Sequence, residues 1–306
     1  MKDKKKLSVS PWSELLTEQR NPASADIDER PTLDILRVIN EEDKKVAHAV
    51  EAVLEAVAEA VDLVTAAFRR GGRLFYVGAG TSGRLGVLDA SECPPTYGAD
   101  PEMVQGIIAG GHEALVRSLG KEEDFPERGA QALRDRHVSA RDVVVGIAAS
   151  GVTPYVRGAL AEARGLGAGT VFFTCNPSAA EAVEADVKIV PVVGPEVVTG
   201  STRMKAGTAT KLVLNMITTA SMIRAGKVYG NLMVDLTPTC LKLEDRATRI
   251  LSTLAEISGD EARRTLDEAR WNLKAALVMR KRGVGYEEAM ERLKQADGVV
   301  KKAIED

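Results

Sequence analysis

The chain has 306 residues, with 41 basic against 44 acidic side chains, a net charge of −3 and only 4% aromatic residues. This length supports one large domain or two smaller ones at about 150 residues each, and the balanced charge and few aromatics argue against nucleic acid as a partner. No apolar run reaches the roughly 18 residues of a membrane span. The basic start Lys2-Asp-Lys-Lys-Lys6 reads as a solvated tail with no signal-peptide core behind it, and the widely spaced Cys93, Cys175 and Cys240 fit a reducing cytoplasm without disulfides. His48, His112 and His137 show no ligand spacing, so no metal site is expected.

Residues 1 to about 32, punctuated by Pro11, Pro22 and Pro31, read as a loose arm. Thr32 is placed to cap a helix through Asn40, after which Val46, Val50, Val53, Leu54, Val57, Val61 and Val64 recur at helical spacing until Gly71-Gly72. Leu74 to Val77 is a strand. Gly78-Ala-Gly-Thr-Ser-Gly83 follows it, then a helix from about Leu85 to Glu92 that Pro94 is expected to stop near Cys93. Further strands are expected over Met103–Ala109, Asp142–Ala148, Gly169–Thr174 and Val187–Val193, with a short helix from Glu113 to Leu119, the acidic run Lys121-Glu122-Glu123-Asp124, and helices from Pro154 to Arg164 and from Gly207 to Ala225. Strands alternating with helices predict a parallel sheet covered on both faces. From Asp235 no strand pattern is clear, and residues 245 to 305 read as short helices.

Three turns share one chemistry. Gly80-Thr81-Ser82, Ser150-Gly151-Val152-Thr153 and Ser201-Thr202 place small hydroxyl residues before helices, with Arg203 and Lys205 as cations beside the third. Helix starts favour a bound phosphate through free N–H groups and the dipole. The first turn also fits G-x-G-x-x-G, but no acidic residue is well placed for a dinucleotide ribose, and no Walker A lysine follows. On the loop alone, phosphate binding and a plain tight turn remain equal readings. Ser82, Ser150 and Ser201 also suit ordinary caps, and Glu92 suits a surface position.

The strings Gly78-Ala-Gly-Thr-Ser-Gly-Arg-Leu-Gly86, Asp89-Ala-Ser-Glu-Cys-Pro-Pro-Thr-Tyr-Gly98, Gly146-Ile-Ala-Ala-Ser-Gly151, the segment Gly194 to Thr208 and Gly230-Asn-Leu-Met-Val-Asp235 resemble the N-acetylmuramic acid 6-phosphate etherase family, within the sugar isomerase (SIS) superfamily. The resemblance implies a flavodoxin-like α/β fold, a five-stranded parallel sheet over residues 46–234, after an arm and short helix at 1–45 and before a C-terminal helical subdomain at 235–306. It implies a phosphorylated amino sugar as substrate, no cofactor, and a homodimer with sites near its interface. Two glutamates carry the family's acid and base chemistry and fall on Glu92 and Glu123, with Glu122 leaving the second uncertain by one residue. Gly80, Thr81, Ser82, Ser150, Gly151, Thr153, Ser201, Thr202 and Lys205 are the candidate phosphosugar ligands, and Glu196 a candidate for sugar hydroxyls. An aldose–ketose phosphosugar isomerase and a phosphosugar-sensing regulatory protein are the competing readings.

Overall fold

In the computed structural model, which describes residues 11–305, five parallel strands make one sheet in the order β2-β1-β3-β4-β5. They are β1 Leu74–Gly78, β2 Val104–Ile108, β3 Val143–Ile147, β4 Gly169–Phe173 and β5 Val187–Ile189. Alternation along each strand divides the core. Leu74, Tyr76, Val143, Val145, Val171 and Phe173 face the helices α1 (Thr32–Glu51), α2 (Leu54–Arg69) and α8 (Lys205–Arg224). Phe75, Val77, Val144 and Phe172 face α5 (Pro126–Arg134) and α6 (Pro154–Gly165). Strands buried on both faces must be apolar throughout, which is why these five read as continuous hydrophobic runs. A separate apolar cluster lies among α9 (Leu241–Ala255), α10 (Gly259–Glu268), α11 (Leu273–Arg282), α12 (Tyr286–Gln295) and α13 (Val300–Glu305).

Four local expectations change. The helix after the first turn, α3, runs from Gly80 to Tyr97 and carries Pro94 and Pro95 inside it rather than stopping at Cys93. Proline lacks an N–H, but in a last turn the loss is small. Cys93 Sγ donates to the Asp89 carbonyl, and Gly98, at φ 55°, closes the helix by donating its N–H to Pro94 O at 2.9 Å. The helix expected to end at Asn40 instead continues through Asn40-Glu41-Glu42-Asp43 to Glu51, and the break falls at Ala52-Val53. Residues 126–134 form a helix that the acidic run before them concealed, while the short helix after Glu113 (α4) ends at Val116.

The fourth change concerns the arm. Where described, it is built of short 3-10 turns laid against the sheet's carboxyl end, with Leu15, Thr17, Asn21 and Ser24 buried. Its polarity, which reads as solvation in the sequence, supplies hydrogen bonds: Ser24 Oγ donates to Val197 O at 2.7 Å, and Asn21 Nδ2 to Pro195 O at 3.0 Å. The Lys2–Lys6 tail lies outside the described residues.

Candidate functional site

Strand order fixes where a site can form. The chain leaves β1 for β2 on one side, then returns to lay β3 on the other, pairing Gly78 with Ile147. Loops leaving adjacent strands at such a reversal diverge above and below the sheet and open a crevice between them. The turns after β1 and β3 are Gly80-Thr81-Ser82 and Ser150-Gly151-Val152-Thr153. The third hydroxyl turn joins them, since a methyl placed on Gly207 at the start of α8 would lie 3.6 Å from Thr81 Cγ2. The first and third turns therefore touch, and the second leaves the strand beside the first.

Glycine makes the approach possible at two points. A Cβ on Gly83 would stand 2.8 Å from Gly78 O and 2.6 Å from Ile108 Cγ1, so only glycine lets the start of α3 sit directly on the strand end. Gly151 holds φ 77°, and a Cβ there would meet Ala179 Cβ at 2.3 Å. Arg157 reaches back from α6 and donates from Nη2 (2.9 Å) and Nε (3.2 Å) to Gly151 O, fixing the turn.

The hydroxyls themselves are open. Among the described residues, the side chains of Thr81, Ser82, Thr153, Ser201 and Thr202 make no hydrogen bond within the chain, and Ser150 Oγ accepts only a long one, from Val152 N at 3.5 Å. At the starts of α3 and α6 the first-turn N–H groups have no helical acceptor. Half-buried hydroxyls beside free N–H groups are the chemistry that an anion cradle requires.

Lys205 and Glu196 lie behind this cradle. Lys205 is 1% exposed, and its Nζ stands 2.5 Å from Glu42 Oε2. Glu196 is fully buried and accepts from Lys205 N at 3.0 Å and Ala206 N at 2.9 Å, so the start of α8 already holds a carboxylate. Burial pushes the Glu196 carboxyl up, against those N–H donors and the Lys205 charge. For Glu42, burial acts upward too, but hydrogen bonds from Lys205, Lys45 and Asn21 outweigh it and hold the carboxyl at about 2. In this structure both predicted ligands have internal partners and brace the third turn.

Glu123 lines a small cavity of about 70 Å³ with Gly80, Arg84, Ala109, Ser118 and Gly120. Glu123 as a whole is exposed, but partial desolvation of its carboxyl, and then the neighbouring Asp124, raise that group above the ordinary value. Glu122 points elsewhere, into an ion pair with Arg128. Arg84, in the first turns of α3, donates to Leu115 O at 2.9 Å and Arg117 O at 2.8 Å, tying the loop that bears Glu123 to the anion turn. Glu92 is exposed beside Leu88 on α3. Twelve residues of helix separate it from Gly80, roughly 18 Å at about 1.5 Å per residue. One chain alone does not bring Glu92 to the cavity of Glu123.

Several residues here escaped the sequence reading. Asp89 is buried and accepts from Tyr76 Oη at 3.0 Å, Thr218 Oγ1 at 3.3 Å and Asn215 Nδ2, locking α3 to β1 and α8. Burial raises its carboxyl despite these donors. Glu42, Asn176 and Arg84 likewise act through partners far along the chain, which no local pattern announces. Among the described residues no group of three or more His, Cys, Asp or Glu side chains is arranged to hold a metal ion.

Known proteins fit this geometry. Residues 56–164 match the model of the glucokinase regulatory protein N-terminal SIS domain. Over 293 residues, 95% of this chain and 94% of the relative, the sequence is 56% identical to the N-acetylmuramic acid 6-phosphate etherase of Salinibacter ruber. It is 52% identical over 290 residues to that of Photorhabdus laumondii, covering 95% and 96% of the two chains. The chain belongs to the N-acetylmuramic acid 6-phosphate etherase family. The solved phosphoheptose isomerase of Neisseria gonorrhoeae overlaps 62% of this etherase-family chain and 98% of its own, at 17% identity and a TM-score of 0.46. Among the described residues of this family member, no helix is long and apolar enough to cross a membrane.

Proposed function

We propose that this chain cleaves the D-lactyl ether of N-acetylmuramic acid 6-phosphate, giving N-acetylglucosamine 6-phosphate and D-lactate during recycling of cell-wall amino sugars. The observation that carries the reading is near-full-length kinship with etherases at 52–56% identity, in a chain whose sheet reversal gathers three hydroxyl-rich turns. In this reading the phosphate docks on Gly80-Thr81-Ser82 and Ser150–Thr153, with Ser201 and Thr202 closing the third side. The lactyl ether at C3 is β to the C1 aldehyde of the open-chain sugar. The Glu123 carboxylate takes the C2 proton, and the electron pair forms the C2–C3 double bond as the C3–O bond breaks. The Glu92 carboxylic acid protonates the departing lactate oxygen. As a carboxylate, Glu92 then takes a proton from the water that adds at C3, and Glu123 returns its proton to C2, so one water is consumed overall. The raised Glu123 carboxyl supports its role, because a raised carboxyl is a stronger base.

The reading also assigns an assembly. Glu92 stands on an exposed face of α3 with Leu88, about 18 Å from the anion turn, so a second copy of the chain is needed to set it over the crevice. A cytoplasmic homodimer follows, with residues 46–234 as the phosphosugar unit and 235–306 as a helical subdomain against it. The match to a regulatory SIS domain favours one rival, a phosphosugar sensor that binds without turnover.

The test is D-lactate release from N-acetylmuramic acid 6-phosphate by the purified chain, beside Glu92→Ala and Glu123→Gln. Each substitution is expected to abolish most release, and mixing the two variants should restore part of it if the carboxylates come from different subunits. Binding of the phosphosugar without release would establish the sensor instead.

A further inference from the structure

Resting on the phosphosugar reading above, we infer that the amino-terminal segment around Thr17 is a working part of the anion site: Thr17 is a positioning residue that sets the spacing between the Ser150 and Ser201 turns. The segment touches both. Thr17 O accepts from Gly200 N at 3.2 Å, one residue before Ser201. Thr17 Oγ1 accepts from Asn176 Nδ2 at 3.0 Å, and the same Nδ2 donates to Ser150 O at 2.9 Å. Asn176 Oδ1 takes the N–H of Leu16 at 2.6 Å, so the amide grips the arm by its backbone as well. Thr17 is 1% exposed and Asn176 fully buried, which removes water as a substitute partner for either.

Among the described residues, no other chain of hydrogen bonds of this kind joins the two turns. The Ser150 turn leaves the end of β3, and the Ser201 turn follows the long connection after β5, so sheet pairing does not fix their separation. A phosphate held by hydroxyls from both needs that separation set to within a fraction of an ångström. Thr174 and the arm supply the frame: Thr174 Oγ1 donates to Ala149 O at 3.2 Å and accepts from Asn176 N at 3.2 Å, seating Asn176 on the β3 turn before it reaches Thr17. Asn21 adds a second fastening, from Nδ2 to Glu42 Oε2 at 2.9 Å, and Glu42 holds Lys205 at the start of α8.

The experiment compares Thr17→Val, Thr17→Ser and Asn176→Asp with the unaltered chain. The readouts are KM and kcat for lactate release, calorimetric affinity for N-acetylglucosamine 6-phosphate, and melting temperature. Thr17→Val keeps the backbone acceptor and shape but removes the hydroxyl, and should weaken phosphosugar affinity about tenfold, the equivalent of one buried hydrogen bond, with the larger share of the kinetic effect in KM. Thr17→Ser should restore affinity, and Asn176→Asp, which sets a carboxylate against Ser150 O, should weaken it at least as much as Thr17→Val. Unchanged affinity in both Thr17→Val and Asn176→Asp, or a loss in Thr17→Ser equal to that in Thr17→Val, would overturn the assignment. Because affinity is read without turnover, a chain that released no lactate but lost binding on Thr17→Val would retain this inference and lose the etherase reading. A chain that released lactate indifferently to Thr17 would do the reverse.

Discussion

The two ends of the sheet use polar residues in opposite ways. At the amino end, Asp142 stands just before β3 and accepts from Arg73 N, Arg73 Nη2, Ser139 N and Ser139 Oγ, while Asp186 accepts from Thr170 N and Thr170 Oγ1 just before β5. Both carboxylates have partners within a neighbouring loop, although among the described residues the buried hydroxyls of Thr65 on α2 and Ser221 on α8 have none. Burial alone would raise the Asp142 carboxyl, but the hydrogen bonds from Arg73 and Ser139 keep it below its ordinary value. At the carboxyl end, a back row of buried groups (Thr17, Asn176, Glu42, Lys205 and Glu196) is satisfied, and a front row of hydroxyls is left without protein partners. Satisfied buried polar groups rigidify a structure, whereas open ones facing a crevice are poised for a ligand. The open hydroxyls support the carboxyl end as the proposed working end.

The comparison can be broken most directly at Glu123. Glu123→Gln should lower kcat for lactate release by about 10²- to 10⁴-fold. In the unaltered chain, release should rise with pH through the ionisation of Glu123, at an apparent value above the ordinary 4.5 for a glutamate, and that limb should vanish in the variant. The same residue also carries a stability sign. Its folded carboxyl is raised, so the folded form binds more protons than the unfolded form between the two values, and stability falls as pH rises through them. Glu123→Gln should therefore melt no lower than the parent at neutral pH, and a lower melting temperature would place Glu123 among structural groups.

At the back row, Glu42→Gln leaves the Lys205 ammonium buried without its countercharge and should cost about 3–5 kcal/mol by denaturant unfolding, with Glu42→Gln/Lys205→Met recovering much of it. Because the Glu42 carboxyl is depressed to about 2 from an ordinary 4.5, its stabilisation is present above pH 4.5 and is lost as pH falls toward 2. Gly151→Ala forces a side chain onto φ 77° and into Ala179, and should cost about 1–3 kcal/mol while also raising KM. Asp142→Asn, at the amino end, should lower stability by a similar 1–3 kcal/mol but leave KM and kcat unchanged, and a shifted KM would erase the contrast between the ends. The smallest stability effect belongs to the front row: Ser82→Ala should stay within about 0.5 kcal/mol of the parent while weakening phosphosugar affinity several-fold.

Much of this was legible along the chain, and the reason is locality. Strands buried on both faces are apolar runs, so β1, β3 and β4 stand out within a residue or two of their observed ends, and glycine beside Thr81-Ser82 and Ser150 marks turns that only glycine permits. The etherase strings identify a family through residues adjacent to one another. Other features failed for equally physical reasons. Pro94-Pro95 reads as a stop because the rule concerns an average helix interior, and it yields in a last turn closed by a left-handed glycine. Thr17 and Asn21 read as solvated because polarity alone does not say whether the partner is water or Asn176, 159 residues later. By itself the sequence determined the periodicities, the turns and the kinship. Only the tertiary structure decided that the arm binds against the crevice and that Lys205 faces Glu42 rather than solvent, because each depends on which distant groups compete for the same hydrogen bond.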